Sequence, residues 1–124
     1  MTADPVRQNR EREARIEPNL AAIESLLRQC VDIAGRGESA FFVDDFVNRY
    51  ASYAALIQIG NAVKDLPSAF RDSHAEANWR ALMNTRDKVG HIYGEGIDWQ
   101  IIWKTLVENA PGDLAAVTRI RDAL

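Results

Sequence analysis

Residues 16–34 decide the fold of this chain, and they read IEPNLAAIESLLRQCVDIA. The side chains that avoid water in this stretch follow one another at alternating steps of four and three: Ile16, Leu20, Ile23, Leu27, Cys30 and Ala34. This spacing puts them on one face of an α-helix, as in a helix that packs an apolar stripe on a core. Gly35 and Gly37 follow directly and predict the end of the helix.

The chain after this helix keeps the helical spacing. No Asn-Gly or Asp-Gly turn joins two alternating apolar runs, as in a β-hairpin. A second helix is expected from about Asp44 or Asp45 to Asp65, ended by Pro67. Its broad apolar surface implies burial against more than one neighbour. The residues expected along this surface are Phe46, Tyr50, Tyr53, Ile57, Gly60 and Val63.

Capping signals predict three more helices. Ser73 with Glu76 three residues on forms a capping box, so a third helix is expected to begin there, with His74 in its first turn. Asp98 is expected to cap a fourth helix, which the Pro-Gly pair at 111 and 112 ends, and Asp113 to open a short last one. Helices joined by such short connections favour an all-α fold, an antiparallel bundle of four to five helices.

The chain has the length of one domain. Its 124 residues, taken as a single unit over 1–124, are enough to bury a core. Residues 1–13 are mostly charged and are expected to form a frayed or solvated N-terminal arm. Pro18 is expected to kink the following helix or to restart it.

Composition narrows the classes of function. No apolar run approaches the roughly 18 residues of a membrane span, so no membrane partner is expected. The single cysteine, Cys30, has no partner for an internal disulfide, which fits a reducing cytoplasm. The formal net charge of -3 argues against a protein that coats nucleic acid by bulk electrostatics. Any contact with RNA must therefore come from a local basic focus.

A second stretch carries the candidate chemistry, and residues 85–94 read TRDKVGHIYG. Arg86 is a permanently charged fork that matches phosphate oxygens, and His91 titrates near neutrality, where it moves a proton at cellular pH. Asp87 stands four residues before His91, so the two can meet on one helix face and the carboxylate can fix the imidazole tautomer. One cysteine and two histidines are too few for a usual zinc site, so no metal is expected.

Helical geometry separates the two candidate catalytic residues. At about 100° per residue, Arg86 and His91 diverge by about 140° on one regular helix. A compact site then needs either a helix that loosens near Gly90 or a second copy of the motif across a two-fold axis. We favour the homodimer, because it doubles the arginine and histidine count in one cleft. Such a cleft can cut RNA without a metal, since the 2′-hydroxyl attacks the adjacent phosphate while histidine and arginine supply proton transfer and charge stabilisation.

Several segments together resemble one family, the HepT-like HEPN ribonucleases. The motif of that family is described as Arg, four residues, His, one residue, Tyr, and Arg86, His91 and Tyr93 match it residue by residue. Residues 59–64, IGNAVK, and residues 79–83, WRALM, resemble the family segments that precede the motif. The likeness extends from about Ile16 to Leu124.

This resemblance implies a HEPN-like helical bundle that dimerises into a ribonuclease cleft and needs no cofactor. It implies a toxin, paired with an antitoxin that is a minimal (MNT-domain) nucleotidyltransferase. Arg86 and His91 would be the catalytic residues and Asp87 their polar support. Tyr93 would be the residue onto which the antitoxin transfers AMP.

Three departures from the family pattern accompany the match. Asn61 stands where the family usually has an acid, Gly90 replaces an apolar residue, and the loop from Tyr93 to Asp98 is one residue longer. A tyrosine on the apolar line of a helix is equally consistent with a core residue, so modification and structure are both open for Tyr93. The alternative function is a non-catalytic helical partner that docks a nucleotidyltransferase and presents its substrate.

Overall fold

Residues 4–89 and 96–124, which the computed structural model describes (of 86–89 the backbone alone), fold into seven α-helices and two π-turns. In chain order these elements are α1 (Pro5–Ala14), α2 (Ile16–Gly35), a first π-turn (Ala40–Asp44), α3 (Val47–Asp65), α4 (Ser68–Ser73), α5 (Trp79–Val89), α6 (Trp99–Lys104), a second π-turn (Thr105–Asn109) and α7 (Ala110–Asp122). These residues form no β-strand, so the prediction of an all-α bundle is confirmed. None of their helices is both long and apolar enough to cross a membrane.

Helix α2 lies at the centre of the bundle and packs against α3 on one side and α7 on the other. Four side chains of the predicted stripe are buried, Leu20, Ile23, Leu27 and Cys30; at its C-terminal end Ile33 is buried in place of Ala34, and Ile16 and Ala34 are half-buried. Burial of each large aliphatic side chain contributes about 1.5–3 kcal/mol, so this stripe is a main source of stability. The helix ends at Gly35, as the glycines predict, and Gly37 adopts a left-handed φ of 97° in the turn that follows.

The first π-turn delays the start of α3 to Val47, two residues after the predicted start. Arg49 holds this turn, because its Nη1 donates to the carbonyl oxygens of Phe41 and Phe42 at 2.9 Å each. Asp45 caps α3, since its Oδ1 accepts from the backbone nitrogen of Val47 at 2.7 Å. The turn thereby inserts Phe41 fully into the core.

The buried face of α3 differs from the predicted one at its N-terminal end. Phe46 and Tyr50 are 61% and 52% exposed, so their expected place in the core was wrong. The reason is Phe41, which fills the core at this level beside Trp103, with ring centroids 5.1 Å apart. The residues that α3 does bury are Ser52, Ala55, Leu56, Ile59, Gly60 and Val63. They face both α2 and α5, which confirms burial against more than one neighbour.

The third predicted helix start was also wrong. Ser73 ends α4 instead of capping the next helix, because its hydroxyl donates to the carbonyl oxygen of Ala69 at 2.9 Å. Helix α5 begins at Trp79, and the Oδ1 of Asn78 accepts from the backbone nitrogen of Ala81 at 3.2 Å in its first turn. His74 lies in the corner between the two helices, not in a first turn, and its ring stacks on Phe70 at 4.2 Å.

The last part of the chain is one continuous helical run instead of two helices. Asp98 caps α6 as predicted, since its Oδ1 accepts from the nitrogens of Gln100 and Ile101 at 3.1 and 3.2 Å. Pro111 does not end the run, because the wider second π-turn precedes it and leaves it in the first turn of α7, where a missing N–H is tolerated. The expected separate helix from Asp113 was therefore wrong.

The N-terminal segment forms helix α1, in which no side chain is buried. Asp4 caps it through an Oδ1 that accepts from the backbone nitrogen of Val6 at 3.0 Å. The run breaks at Arg15, and Pro18 then lies in the first turn of α2, so the predicted restart is confirmed. Asp65, the last residue of α3, holds this junction by accepting from Arg15 at 2.8 and 3.1 Å and from Asn19 at 2.9 Å.

The crossing of α3 and α5 depends on Gly60. A Cβ atom at this position would lie 3.3 Å from the carbonyl oxygen of Leu82 and 3.5 Å from that of Met83. Both are backbone atoms of α5, so a side chain at this position would require the two helices to separate by a few tenths of an ångström. The absence of a Cβ thus sets the distance at which α5 lies on α3.

We expect Gly60→Ala to lower the free energy of unfolding by about 1 kcal/mol, because close packing against backbone outweighs the gain in helix propensity. Gly112→Ala is the matched control: it lies in α7, where a Cβ atom would have open space within 4 Å, and should gain about 0.5–1 kcal/mol. Urea denaturation measures both. Equal stability of the two variants would contradict the close crossing.

We expect Asp65→Asn to lower the free energy of unfolding by roughly 0.5 kcal/mol at neutral pH, the value of an exposed pair. The hydrogen bond from Arg15 lowers the pKa of Asp65 to about 2. The contribution of the carboxylate is therefore complete above its ordinary pKa near 4 and is lost as the pH falls through about 2.

Thermal melts of Asp65→Asn and of the parent chain between pH 2 and pH 7 test this dependence. Glu108→Gln is the control, because Glu108 pairs at 4.0 Å with Lys104, which is not a partner of Asp65. A difference between Asp65→Asn and the parent that does not shrink toward pH 2 would rule out the ionised carboxylate as its cause.

Candidate functional site

Helix α5 positions the first half of the sequence motif. Its buried side chains Trp79, Leu82 and Thr85 face the core at steps of three, and the Thr85 hydroxyl donates to the carbonyl oxygen of Ala81 at 2.8 Å. Arg86 follows Thr85 directly, so its backbone and that of Asp87 belong to the last turns of α5. The structure thus carries both residues on one helix that packs on α3.

The second half of the motif lies outside the described residues. His91 and Tyr93 fall between residues 89 and 96, as does Gly90. The pairing of Asp87 with His91 and the joint use of Arg86 and His91 therefore stay predictions. The described chain fixes only the two ends of this segment, which are the end of α5 and the start of α6.

An aromatic cluster lies just after residues 90–95, which we call the motif segment, where the described chain resumes before α6. Trp99 opens α6, and its ring lies 5.1 Å from that of Tyr50 and 6.4 Å from that of Tyr53. The guanidinium carbon of Arg49 lies 5.9 Å from the centre of the Trp99 ring, within the range of a cation–π contact. The chain therefore leaves the segment against the N-terminal half of α3.

Gly60 lies near the other end of the motif segment, where α5 leads into it. Through its contact with the backbone of Leu82 and Met83, it brings α5 onto α3 one helical turn before Arg86. Gly60 belongs to the segment over residues 59–64 that carried the family resemblance, and the structure gives that segment a physical role. Asn61, the departure from the family acid, is exposed on the same helix.

The charge of α5 differs from that of the chain. Arg80, Arg86 and Lys88 against Asp87 give this helix three positive charges and one negative, a net charge of +2 on a chain whose formal net charge is -3. Such a local excess of positive charge attracts phosphate groups. This count of charges agrees with the local basic focus expected from the sequence.

Arg71 is a further candidate that sequence reasoning missed. It lies on α4, and its Nη1 approaches the sulfur of Met83 on α5 at 3.1 Å. Residues 71 and 83 are twelve apart, and only the corner between α4 and α5 brings them together. No local pattern in the sequence signals that contact.

The described side chains contain no group of three or more His, Cys, Asp and Glu residues that could hold a metal ion. His91 is not among them, so the expectation of a site without metal stays a prediction. Cys30 is buried in the core, and this burial raises the pKa of its thiol to about 12. A thiol with so high a pKa is not a nucleophile at neutral pH.

Most of the chain is similar to known proteins. Residues 16–120 match the family described as Ribonuclease HepT-like. A candidate RNase of Caldanaerobacter subterraneus subsp. tengcongensis is 33% identical over 93 residues, which are 72% of this chain and 81% of the relative. A candidate ribonuclease HepT of Thermococcus cleftensis is 39% identical over 70 residues, 56% of this chain and 63% of the relative.

A candidate RNase of Methanocaldococcus jannaschii is 33% identical over 79 residues, 64% of each chain. No solved structure matches the chain at a significant level. The family match begins at the first residue of α2 and ends inside α7, so it takes in the whole bundle, the Gly60 crossing and the motif. On that match, the chain belongs to the HepT-like ribonuclease family.

Proposed function

We propose that this protein is a metal-independent endoribonuclease and the toxin of a toxin–antitoxin pair. The observation that carries the proposal is the family match over the whole bundle, including the helix that bears Arg86. The net charge of +2 on α5 supports RNA as the substrate, because each phosphate of an RNA strand is negatively charged. The reaction is expected to take place in the cytoplasm.

In the proposed reaction, the 2′-oxygen of a ribose attacks the adjacent phosphorus and the bond from phosphorus to the 5′-oxygen breaks. The 2′-hydroxyl loses a proton and the leaving 5′-oxygen gains one, so the products are a 2′,3′-cyclic phosphate and a free 5′-hydroxyl. His91 transfers these protons. Arg86 stabilises the added negative charge on the phosphoryl oxygens, and Asp87 orients His91.

The proposed active unit is a homodimer, in which the two motifs share one cleft. An exposed apolar patch supports this assembly, since Val43, Phe46, Val47 and Tyr50 are 76%, 61%, 56% and 52% exposed. Large exposed apolar surface commonly marks an interaction site. The patch adjoins the motif segment, because Tyr50 contacts Trp99 at the start of α6. A two-fold contact here would bring two motif segments close together.

We expect the purified protein to cleave single-stranded RNA in EDTA and to leave cyclic phosphate ends. Arg86→Ala and His91→Ala should each lower kcat by at least about 100-fold, the usual effect of losing an acid–base or charge-stabilising group. Gel analysis and mass spectrometry of the RNA ends measure the loss. Arg119→Ala, which removes an exposed arginine on α7, is the control. Undiminished cleavage by both motif variants would contradict the mechanism.

Mixing the two inactive variants tests the shared cleft. If each site takes Arg86 from one protomer and His91 from its partner, a mixed dimer of Arg86→Ala and His91→Ala keeps one intact pair. Random mixing should then restore up to about a quarter of the activity of the parent chain. No recovery from dimers that demonstrably exchange subunits would place both residues in one protomer.

The proposed partner is an MNT-domain nucleotidyltransferase that acts as the antitoxin and transfers AMP to Tyr93. The family membership of the chain supports this partner. In the transfer, the phenolic oxygen of Tyr93 attacks the α-phosphorus of ATP and pyrophosphate leaves. The new anionic group would block the cleft by occlusion and by repulsion of the RNA phosphates.

Intact-mass analysis tests this regulation. Protein made together with its nucleotidyltransferase should gain one or more AMP units that map to Tyr93 and should lose RNA cleavage. Tyr93→Phe should stay unmodified and active, whereas Tyr53→Phe, a change at a half-buried tyrosine of α3 outside the proposed dimer patch, should be modified as the parent is. Modification of the protein without any cleavage by its unmodified form would favour the non-catalytic docking partner instead.

A further inference from the structure

A pocket of about 370 Å³ lies between the end of α4 and the start of α5. Its walls carry two arginines, Arg71 and Arg80, and one asparagine, Asn78. Asp72 is the one acid among the described residues that line it. The remaining lining residues are Ala75, Ala77, Trp79 and Met83. The pocket thus combines apolar walls with two positive charges and one negative.

The walls of this pocket are held by a network at the α4–α5 corner. The indole Nε1 of Trp79 donates to the carbonyl oxygen of His74 at 2.9 Å. The His74 ring stacks on Phe70, and its Nδ1 lies 2.8 Å from the carbonyl oxygen of Phe70. Trp79 is itself 5% exposed, so the corner is anchored in the core. The pocket therefore has a defined shape before any ligand binds.

Arg71 has hydrogen-bonding capacity that its surroundings do not use. Its Nε is buried, and among the described residues no acceptor lies within hydrogen-bonding distance of it. Its Nη1 lies 3.1 Å from the weakly accepting sulfur of Met83, which is its one hydrogen-bond contact within the described part of the chain. A guanidinium usually pairs with a carboxylate or phosphate when it is partly buried, because its desolvated N–H groups otherwise lack acceptors. Nε is enclosed by protein and out of reach of a ligand, but an anion in the pocket would accept from the terminal N–H groups of Arg71, a better match for them than the sulfur of Met83.

The pocket lies close to the motif. Met83, which touches Arg71, precedes Arg86 by three residues, a rise of about 4.5 Å along α5. Each nucleotide of an RNA strand carries one charged phosphate, so charges follow one another along its backbone. An RNA strand whose scissile phosphate lies at Arg86 therefore has neighbouring phosphates within reach of the pocket.

We propose that this pocket binds a backbone phosphodiester of the RNA next to the scissile one, with Arg71 and Arg80 as its ligands. The inference rests on the proposed ribonuclease function. Arg71 provides a planar fork from the wall of the pocket, and Arg80 provides a second charge from its rim, where it is exposed. Both are positioning residues, since they hold the strand and do not touch the reacting atoms. The site reads no base, so it favours no sequence.

Binding of an RNA that cannot be cleaved tests the site apart from catalysis. A single-stranded 2′-O-methyl oligoribonucleotide lacks the attacking hydroxyl, and fluorescence anisotropy gives its Kd at several salt concentrations. Arg71→Met and Arg80→Met should each raise Kd roughly tenfold, as expected for a lost charged hydrogen bond. Each should also reduce the slope of log K against log salt by about 0.7, the value for one phosphate contact on a single strand.

Matched variants separate local from general effects. Arg119→Met removes one positive charge from α7, which packs against α2, and should leave both Kd and slope unchanged. Arg71→Lys keeps the charge and should retain most of the slope while losing affinity, because an ammonium lacks the planar fork. Melting curves of every variant confirm that the bundle is folded.

The outcomes distinguish this site from the proposed function. A parent chain that cleaves RNA, with Arg71→Met and Arg80→Met binding as tightly as the parent at every salt concentration, would overturn the site and leave the function standing. A parent chain that neither binds nor cleaves RNA would overturn both. AMP that binds with the affinity of the oligonucleotide, in a way that depends on Arg71, would assign the pocket to a free nucleotide and overturn the RNA strand as its ligand.

Discussion

The close contact between α3 and α5 at Gly60 is the constraint on which the rest of the site depends. A helix that carries charged groups at its end is held here by a close backbone approach at Gly60 together with the buried side chains Trp79 and Leu82. Close packing of this kind restricts the movement of α5 along α3, because the two helices are rigid and in van der Waals contact. Arg86, one turn beyond this point, therefore starts from a fixed backbone position. Preorganisation of this kind is what a site that stabilises developing charge requires.

Two different surfaces lie near the crossing of α3 and α5, one with positive charges and one with exposed aromatic rings. On one side of it lies the α4–α5 corner with Arg71 and Arg80, and beyond the motif segment lies Trp99 beside Tyr50. The described ends of the motif segment thus adjoin a pocket with two arginines on the α5 side and an exposed aromatic surface on the α6 side. A polar ligand and a protein partner prefer these two surfaces respectively. The arrangement lets one short helix serve both kinds of contact.

Most of the fold could be predicted from the sequence where a local signal was strong. The regular stripe from Leu20 to Cys30 and the cap at Asp98 each depend on neighbours within a few residues, and both are found as expected. The misplaced helix start near Ser73 arose because a serine hydroxyl can satisfy either a following nitrogen or the carbonyl oxygen four residues back. The sequence alone does not decide between these two bonds. Tertiary packing does.

The remaining differences have long-range causes. Phe41 displaces Phe46 from the core through a π-turn that Arg49 holds, and this contact has no periodic signature. For the candidate site, the sequence predicted Arg86 and Asp87 on a helix, and the structure agrees. Arg71 escaped prediction because its contact with Met83, twelve residues further on, forms only when the corner between α4 and α5 is folded.

Helix α1 has a consequence for the behaviour of the whole molecule. It buries no side chain and lies before the stretch shared with the family. At the junction that follows it, Arg15 and Asn19 donate hydrogen bonds to the carboxylate of Asp65. Attraction between exposed charges weakens as dissolved ions accumulate around them, whereas apolar burial does not. Salt is therefore expected to weaken the attachment of α1 to the bundle. The apolar core of the bundle should stay intact at the same ionic strength.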